Sequence, residues 1–218
     1  MLKKPSAILF DLDGTLLDTA KDLGNALNNI LSELERPTVA YETYRNIASD
    51  GAKGMLELGF GEDLKAFDLA SLRQQFLNYY ENNICVDTDY FAGVESLLLA
   101  LNQKSIPWGI VTNKPEFLTM QLVTSFPLLH NCAVIISGDT LNKRKPHPLP
   151  LLHAEEKLAL VSSNTWYVGD ALRDIQAANA ADMVSVIAQY GYISDIQQTH
   201  GWNADLSIDS PGDLLAYF

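Results

Sequence analysis

The sequence predicts an α/β protein: a doubly wound parallel sheet with an all-helical cap inserted after its first strand. Three observations lead there. Ala7-Ile8-Leu9-Phe10 is a short apolar run that stops abruptly at two carboxylates, Asp11 and Asp13. Residues 16–83 carry apolar side chains at helical spacing, with no strand pattern among them. Beyond them, short apolar runs alternate with helical segments, the rhythm of strands joined by crossovers. The expected division is a core of residues 1–15 and 84–218 and a cap of residues 16–83.

The elements follow in order. Leu16, Ala20, Leu23, Leu27, Ile30, Leu31 and Leu34 fall on one face of a helix ending near Arg36. Asp18 or Thr19 is the candidate cap, and Pro37 lies just beyond the end. A short helix is expected over Tyr41–Ala48, then a glycine-bearing turn, Ser49 to Gly54, then a longer helix over Leu64–Asn82. In the second half the expected helices are Gly93–Lys104, Glu116–Ser125, Leu149–Leu160, Asp174–Ala181, Ile193–Gln198 and Pro211–Tyr217. The expected strands are Pro107–Val111, Ala133–Ile136, Thr165–Val168, Met183–Ile187 and Leu206–Ile208.

Of the 218 residues, 47% are apolar, enough for one buried core with a smaller domain appended. The formal net charge of -12 argues against a nucleic-acid binder, which needs a basic face. It leaves room for a small anionic substrate in a local cationic pocket. Cys85 and Cys132 form no metal-ligand or redox spacing and read as reduced thiols. Met1 to Pro5 leads almost directly into the first strand, and no apolar run approaches the ~20 residues that cross a bilayer. A cytoplasmic protein without membrane contact, a monomer or homodimer, is the expectation.

In open parallel sheets, ligands bind outside the carboxyl ends of the strands. Three expected strands end in functional groups there: Asp11 and Asp13, Thr112 and Asn113, and Asp170. The loop after Ile136 brings Lys145. Ionised carboxylates at the end of a buried strand need a partner, and a metal ion is one. Asp11 and Asp170, with the main-chain carbonyl of Asp13, suit Mg²⁺, which takes few protein oxygens and shares a phosphate. Asp11 is then the candidate nucleophile and Asp13 the acid and base. Thr112, Asn113 and Lys145 would bind phosphoryl oxygens, and Gly14 gives a tight turn beside them.

Plainer readings stand beside several of these. Thr112 and Asn113 are also common turn residues. Asp174 is either a helix-start charge or a supporting carboxylate. Lys53, between Gly51 and Gly54, is a contact to a substrate carboxylate or sugar oxygen, or a surface lysine. His130, His147, His153 and His200 have no metal-ligand spacing, and the three tryptophans read as packing residues.

The motifs Asp11-Leu12-Asp13-Gly14-Thr15, Thr112 closing an apolar strand, Lys145 before Pro146, and Gly169-Asp170 with Asp174 resemble those of the haloacid dehalogenase superfamily of phosphohydrolases. That resemblance covers essentially the whole chain. It implies a Rossmann-like core with a helical cap, Asp11 as nucleophile, Asp13 as acid/base, Asp170 as metal ligand and Asp174 as a supporting carboxylate. Within the superfamily the chain is similar to phosphoglycolate phosphatases. It is closer still to the branch acting on N-acetylmuramic acid 6-phosphate, through Asp50 to Met55, Trp108 to Thr119, Ser137 to Leu141 with Arg144-Lys145-Pro146, and Gln189 to Ile193. A sugar phosphomutase on the same scaffold is the alternative. Asp182 stands where such proteins usually carry glycine, which predicts strain at that turn. Ala171 and Arg173 also depart from the phosphoglycolate group.

Overall fold

The computed structural model describes residues 2–159 and 164–218. β1 (Ala7–Phe10) is followed by a two-residue strand, β2 (Leu17–Asp18). Helices α1 (Ala20–Glu33), α2 (Tyr41–Tyr44), α3 (Gly51–Phe60) and α4 (Leu69–Asn82) come next, and β3 (Asp89–Tyr90) ends that stretch. The chain then alternates through α5 (Val94–Gln103), β4 (Trp108–Val111), α6 (Glu116–Ser125), β5 (Val134–Ile136), α7 (Leu149–Lys157) and β6 (Thr165–Gly169). It closes with α8 (Leu172–Ala180), β7 (Val184–Ala188), α9 (Ile196–Thr199) and β8 (Leu206–Ile208). Short 3-10 turns occupy 45–50, 61–66, 127–131 and 211–217. The expected helix end at Leu160 lies outside the described residues.

Two compact units result, Met1–Leu17 with Tyr90–Phe218, and Asp18–Asp89. In the first, six parallel strands are ordered β5-β4-β1-β6-β7-β8. Numbered along the chain, the six run 3-2-1-4-5-6, so the winding reverses beside β1. β1, β4 and β6 are wholly buried, which is why each reads as an unbroken apolar run rather than an alternation. Leu9, Val111 and Tyr167 share one face with Leu151 and Ala154 of α7 and Ala177 and Ala178 of α8. Phe10 and Trp108 point the other way and meet edge to face at 6.4 Å, and Tyr217 lies 5.1 Å from Trp166. Helical segments therefore cover both faces, as the doubly wound expectation requires.

The second unit is helical. α1 buries a stripe of Leu23, Ala26, Leu27, Ile30 and Leu31. Asp22, in its first turn, accepts from the backbone N–H groups of Asp87 and Thr88 and from the Thr88 hydroxyl, stapling the returning chain to the helix. Arg36 lies 5.1 Å over the Phe60 ring and pairs with Asp63 at 2.8 Å.

Several boundaries differ from expectation for local reasons. The first helix starts at Ala20, not Leu16, because residues 12–17 fold into a tight turn in which the N–H groups of Thr15, Leu16 and Leu17 all bond to the Leu12 carbonyl. Asp18 rather than Thr19 reaches the helix start, accepting from Ala20 N–H at 3.3 Å. The expected Leu64–Asn82 helix is a 3-10 turn and then α4, restarted by Asp68, whose carboxylate accepts from Ala70 and Ser71. β2 and β3, which pair with each other, have two residues apiece and no periodicity to detect.

Candidate active site

The switch point of the sheet is where the chemistry gathers. Asp11 continues β1 by one residue, its N–H bonding to Val168 O at 2.9 Å on β6. Asp170 directly follows β6, and Thr112 follows β4, its N–H bonding to Ile136 O. Side-chain oxygens of Asp11, Asp170 and Asp174 all lie within 4.8 Å of one another, and all three residues are buried. Lys145 reaches into this cluster from the loop after β5. Its Nζ lies 3.0 Å from Asp11 Oδ1 and 2.8 Å from Asp174 Oδ1, with no side-chain exposure.

Close approach of backbone holds the cluster together. Gly14 has φ +81, and a Cβ there would fall 2.2 Å from Asp170 Oδ2. A Cβ on Gly191 would fall 2.4 Å from the Asp170 Cβ and 2.4 Å from the Gly14 carbonyl. Asp170 Oδ2 also accepts from Tyr192 N–H at 2.9 Å. The Asp170 carboxylate is thus walled in by two loops that only glycine permits to come so near.

Charge sets what the cluster can hold. Three buried carboxylates face one buried ammonium, a formal excess of two negative charges among these four groups. Burial raises the Asp174 carboxyl above its ordinary range, against the opposing pull of Lys145. Hard oxygen donors, closely spaced and in negative excess, fit a divalent cation. Asp13 stands apart from the three. Its carboxylate pairs with Lys114 Nζ at 2.9 Å and keeps 16% side-chain exposure.

The structure places the sequence candidates unevenly. Asp11, Thr112, Lys145, Asp170 and Asp174 meet at the strand ends, with Gly14 against them. The carboxylate that completes the cluster is Asp174, whereas the Asp13 carboxylate goes to Lys114. Asp174 also serves the plainer role, since its Oδ2 accepts from Ala171 N–H at the start of α8. The Asn113 side chain is engaged elsewhere. Its amide donates to Lys145 O at 2.9 Å and its carbonyl accepts from Lys145 N–H at 3.0 Å, so the side chain clamps the Lys145 peptide instead of facing a phosphate. Lys53 belongs to the Asp18–Asp89 unit, where it is exposed and lies 3.6 Å from Glu57.

Two participants escaped the sequence reading. Lys114 is given no role by the sequence reading, although a cation shortly after a strand end that carries Thr112 is a signal. Tyr167 enters the sequence reading only as part of the Thr165–Val168 strand, although a phenol inside a buried strand must find a polar partner. It finds two, accepting from Lys145 Nζ at 2.6 Å and donating to Val111 O at 2.7 Å. Burial, with Asp11 and Asp174 nearby, holds its hydroxyl far above the usual phenol range.

Comparison with known proteins bears on this geometry. The family model for haloacid dehalogenase-like hydrolases matches residues 8–188. A phosphoglycolate phosphatase of Xanthomonas campestris is 42% identical over 98% of this chain and 96% of its own length. An N-acetylmuramic acid 6-phosphate phosphatase of Pseudomonas putida is 35% identical over 95% of this chain and 93% of its own. The crystal structure of a predicted phosphoglycolate phosphatase from Haemophilus somnus superposes with a TM-score of 0.86 at 27% identity, covering 99% of each chain. Strand-end carboxylates on this sheet, a family match over most of the chain and full-length phosphatase relatives lead to one conclusion: the chain belongs to the haloacid dehalogenase-like hydrolase family, among its phosphatases.

Proposed function

We propose that this chain hydrolyses small phosphate monoesters through an aspartyl-phosphate formed on Asp11. The observation that carries the reading is the division of labour between two neighbouring carboxylates. Asp11 is buried and paired to Lys145, while Asp13 is set apart on Lys114. Asp11 Oδ1 receives both Lys145 and the Leu12 N–H, at 3.0 and 2.8 Å, which leaves Oδ2 as the attacking oxygen.

In the first step an Asp11 oxygen bonds to phosphorus and the ester P–O bond breaks. The departing oxygen takes its proton from Asp13. In the second step a water gives a proton to Asp13 and attacks phosphorus. The bond to Asp11 breaks, releasing phosphate and restoring both aspartates. The Thr112 hydroxyl, which accepts from the Lys114 N–H at 3.2 Å, would donate its proton to a phosphoryl oxygen. Asp11 and Asp170, with the Asp13 carbonyl, would hold Mg²⁺, and Asp174 would support them through Lys145. When bound, the cation screens repulsion between the Asp11 carboxylate and the anionic phosphate.

Two substrates are in contention. Phosphoglycolate is favoured by the more similar relatives, and N-acetylmuramic acid 6-phosphate by the second named group. Comparing kcat/KM on the two, with product analysis for any isomerised sugar phosphate, decides among both hydrolases and a mutase. We assign residues 16–83 to a cap that selects the substrate, with Lys53 as a contact. Neither cysteine is in a disulfide among the described residues, in keeping with a cytoplasmic setting, and no helix among them is long and apolar enough to cross a membrane. Gel filtration with light scattering tests the expected monomer or homodimer.

The decisive test is the Asp11→Asn variant, assayed on p-nitrophenyl phosphate with Mg²⁺. Activity should fall by about 10³-fold or more. The melting temperature should hold or rise, because one charge leaves a cluster already in negative excess. Retained activity rules out the nucleophile.

A further inference from the structure

Lys145 Nζ has three oxygens within 3.0 Å: Asp11 Oδ1 at 3.0 Å, Asp174 Oδ1 at 2.8 Å and the Tyr167 hydroxyl at 2.6 Å. An ammonium carries three protons, and three oxygens lie within their reach, one of them in a directional hydrogen bond from Nζ to the Tyr167 hydroxyl. Two of them are the expected ionic partners. The third comes from the middle of β6, on a face otherwise lined by Leu9, Val111, Leu151, Ala154 and Ala177. A hydroxyl in such surroundings is costly unless it is bonded.

Chemistry sets the direction of this chain of bonds. A backbone carbonyl only accepts and an ammonium only donates. The Tyr167 proton therefore goes to Val111 O, and its oxygen faces Lys145 as an acceptor. Val111 ends β4 immediately before Thr112. One phenol thus ties β6 and β4 to the lysine that holds Asp11 after β1.

We propose that Tyr167 is a positioning residue for the hydrolytic step, acting through Lys145; this rests on the aspartyl-phosphate reading above. When Asp11 carries the phosphoryl group, its carboxylate loses its charge and with it most of its hold on the ammonium. Asp174 alone would then draw Lys145 away. Tyr167, by its hydrogen bond, and Asp174, by its charge, together hold the ammonium in place, so it stays beside Asp11 Oδ1 through both steps. A phenol does this without adding a further negative charge beside the anionic intermediate.

Tyr167→Phe keeps the ring and removes the acceptor. On p-nitrophenyl phosphate, kcat should fall about 10- to 100-fold while KM moves by less than about two-fold. In a Lys145→Ala background the same change should cost less than about two-fold, because it acts through the lysine. A purely structural role would lower the melting temperature and leave kcat intact, or cost the same in both backgrounds; either result overturns the proposal. In the wild type, isotope-labelled lysine should show the Lys145 ammonium protons as a resolved, slowly exchanging NMR signal. Exchange as fast as that of surface lysines overturns the proposal whatever the variants do. A wild type inactive on every phosphomonoester overturns the hydrolase reading and this role together. An active wild type with an unaffected Tyr167→Phe overturns this role alone.

Discussion

Gly14 shows how narrow the tolerances are at a single residue. Its backbone is left-handed, and the space where a methyl group would stand is held by the Asp170 carboxylate. Gly14→Ala should therefore act twice, by straining the turn and by displacing the Asp170 oxygen proposed to hold the metal. A loss of about 2 kcal/mol in urea-measured stability is expected from backbone strain and the close contact. Phosphatase activity should fall well beyond what that loss explains. The glycine was legible in the sequence as a tight turn, but its intimate neighbour was not, because Asp170 is 156 residues away. Asn113 is the converse case. Its position beside Thr112 made it look like a ligand for phosphate, and only the Lys145 peptide shows where both ends of its amide go.

Among elements, helix ends reveal most. α1, α5 and α8 close with the same pair of bonds. Glu35, Ser105 and Asp182 donate to the carbonyls of Ser32, Asn102 and Asn179, and the residues after them reach back to Leu31, Leu101 and Ala178. All three sit at φ between 52 and 55, a position that favours glycine. Asp182 was expected to strain its turn, and the left-handed backbone is the cause. Glu35 and Ser105 carried no stop signal at all. Ser105→Gly and Asp182→Gly should each stabilise the protein by about 0.5–1 kcal/mol and leave kcat unchanged, as thermal unfolding and steady-state assays would show. The final 3-10 turn depends on Asp213, which accepts N–H groups from Asp209 and Ser210 and the Ser210 hydroxyl. The Ser210 N–H foremost lowers its pKa below the ordinary 3.8. A lowered folded-state pKa gives stability that is present above 3.8 and lost as pH falls through the folded value. The melting-temperature gap between wild type and Asp213→Asn should accordingly be full at neutral pH and narrow below 3.8.

For the molecule as a whole, the strand order is what makes a site. Because the winding reverses beside β1, the strand ends of β1 and β6 bring Asp11 and Asp170 together at the carboxyl edge of the sheet. The excess negative charge there is destabilising to the empty protein and favourable to a bound cation. Mg²⁺ at about 100 times its dissociation constant should add roughly 2.7 kcal/mol to unfolding free energy, seen as a higher melting temperature. Chelation should abolish activity and reverse the shift. In Asp170→Asn the Mg²⁺-induced shift should shrink or vanish, which separates specific binding from a general salt effect.

The sequence by itself determined the alternation of elements, the all-helical block and most of the charged groups at strand ends. Those signals are local: an apolar run, a 3.6-residue period and a carboxylate directly after a buried strand are all written within a dozen residues. Tertiary structure decided the pairings. That Lys145 answers to Asp11, Asp174 and Tyr167, that Lys114 takes Asp13, and that Asn113 clamps a peptide all depend on which strands lie side by side. Side-chain contacts across a parallel sheet join residues with no fixed spacing along the chain, so no period or motif could announce them.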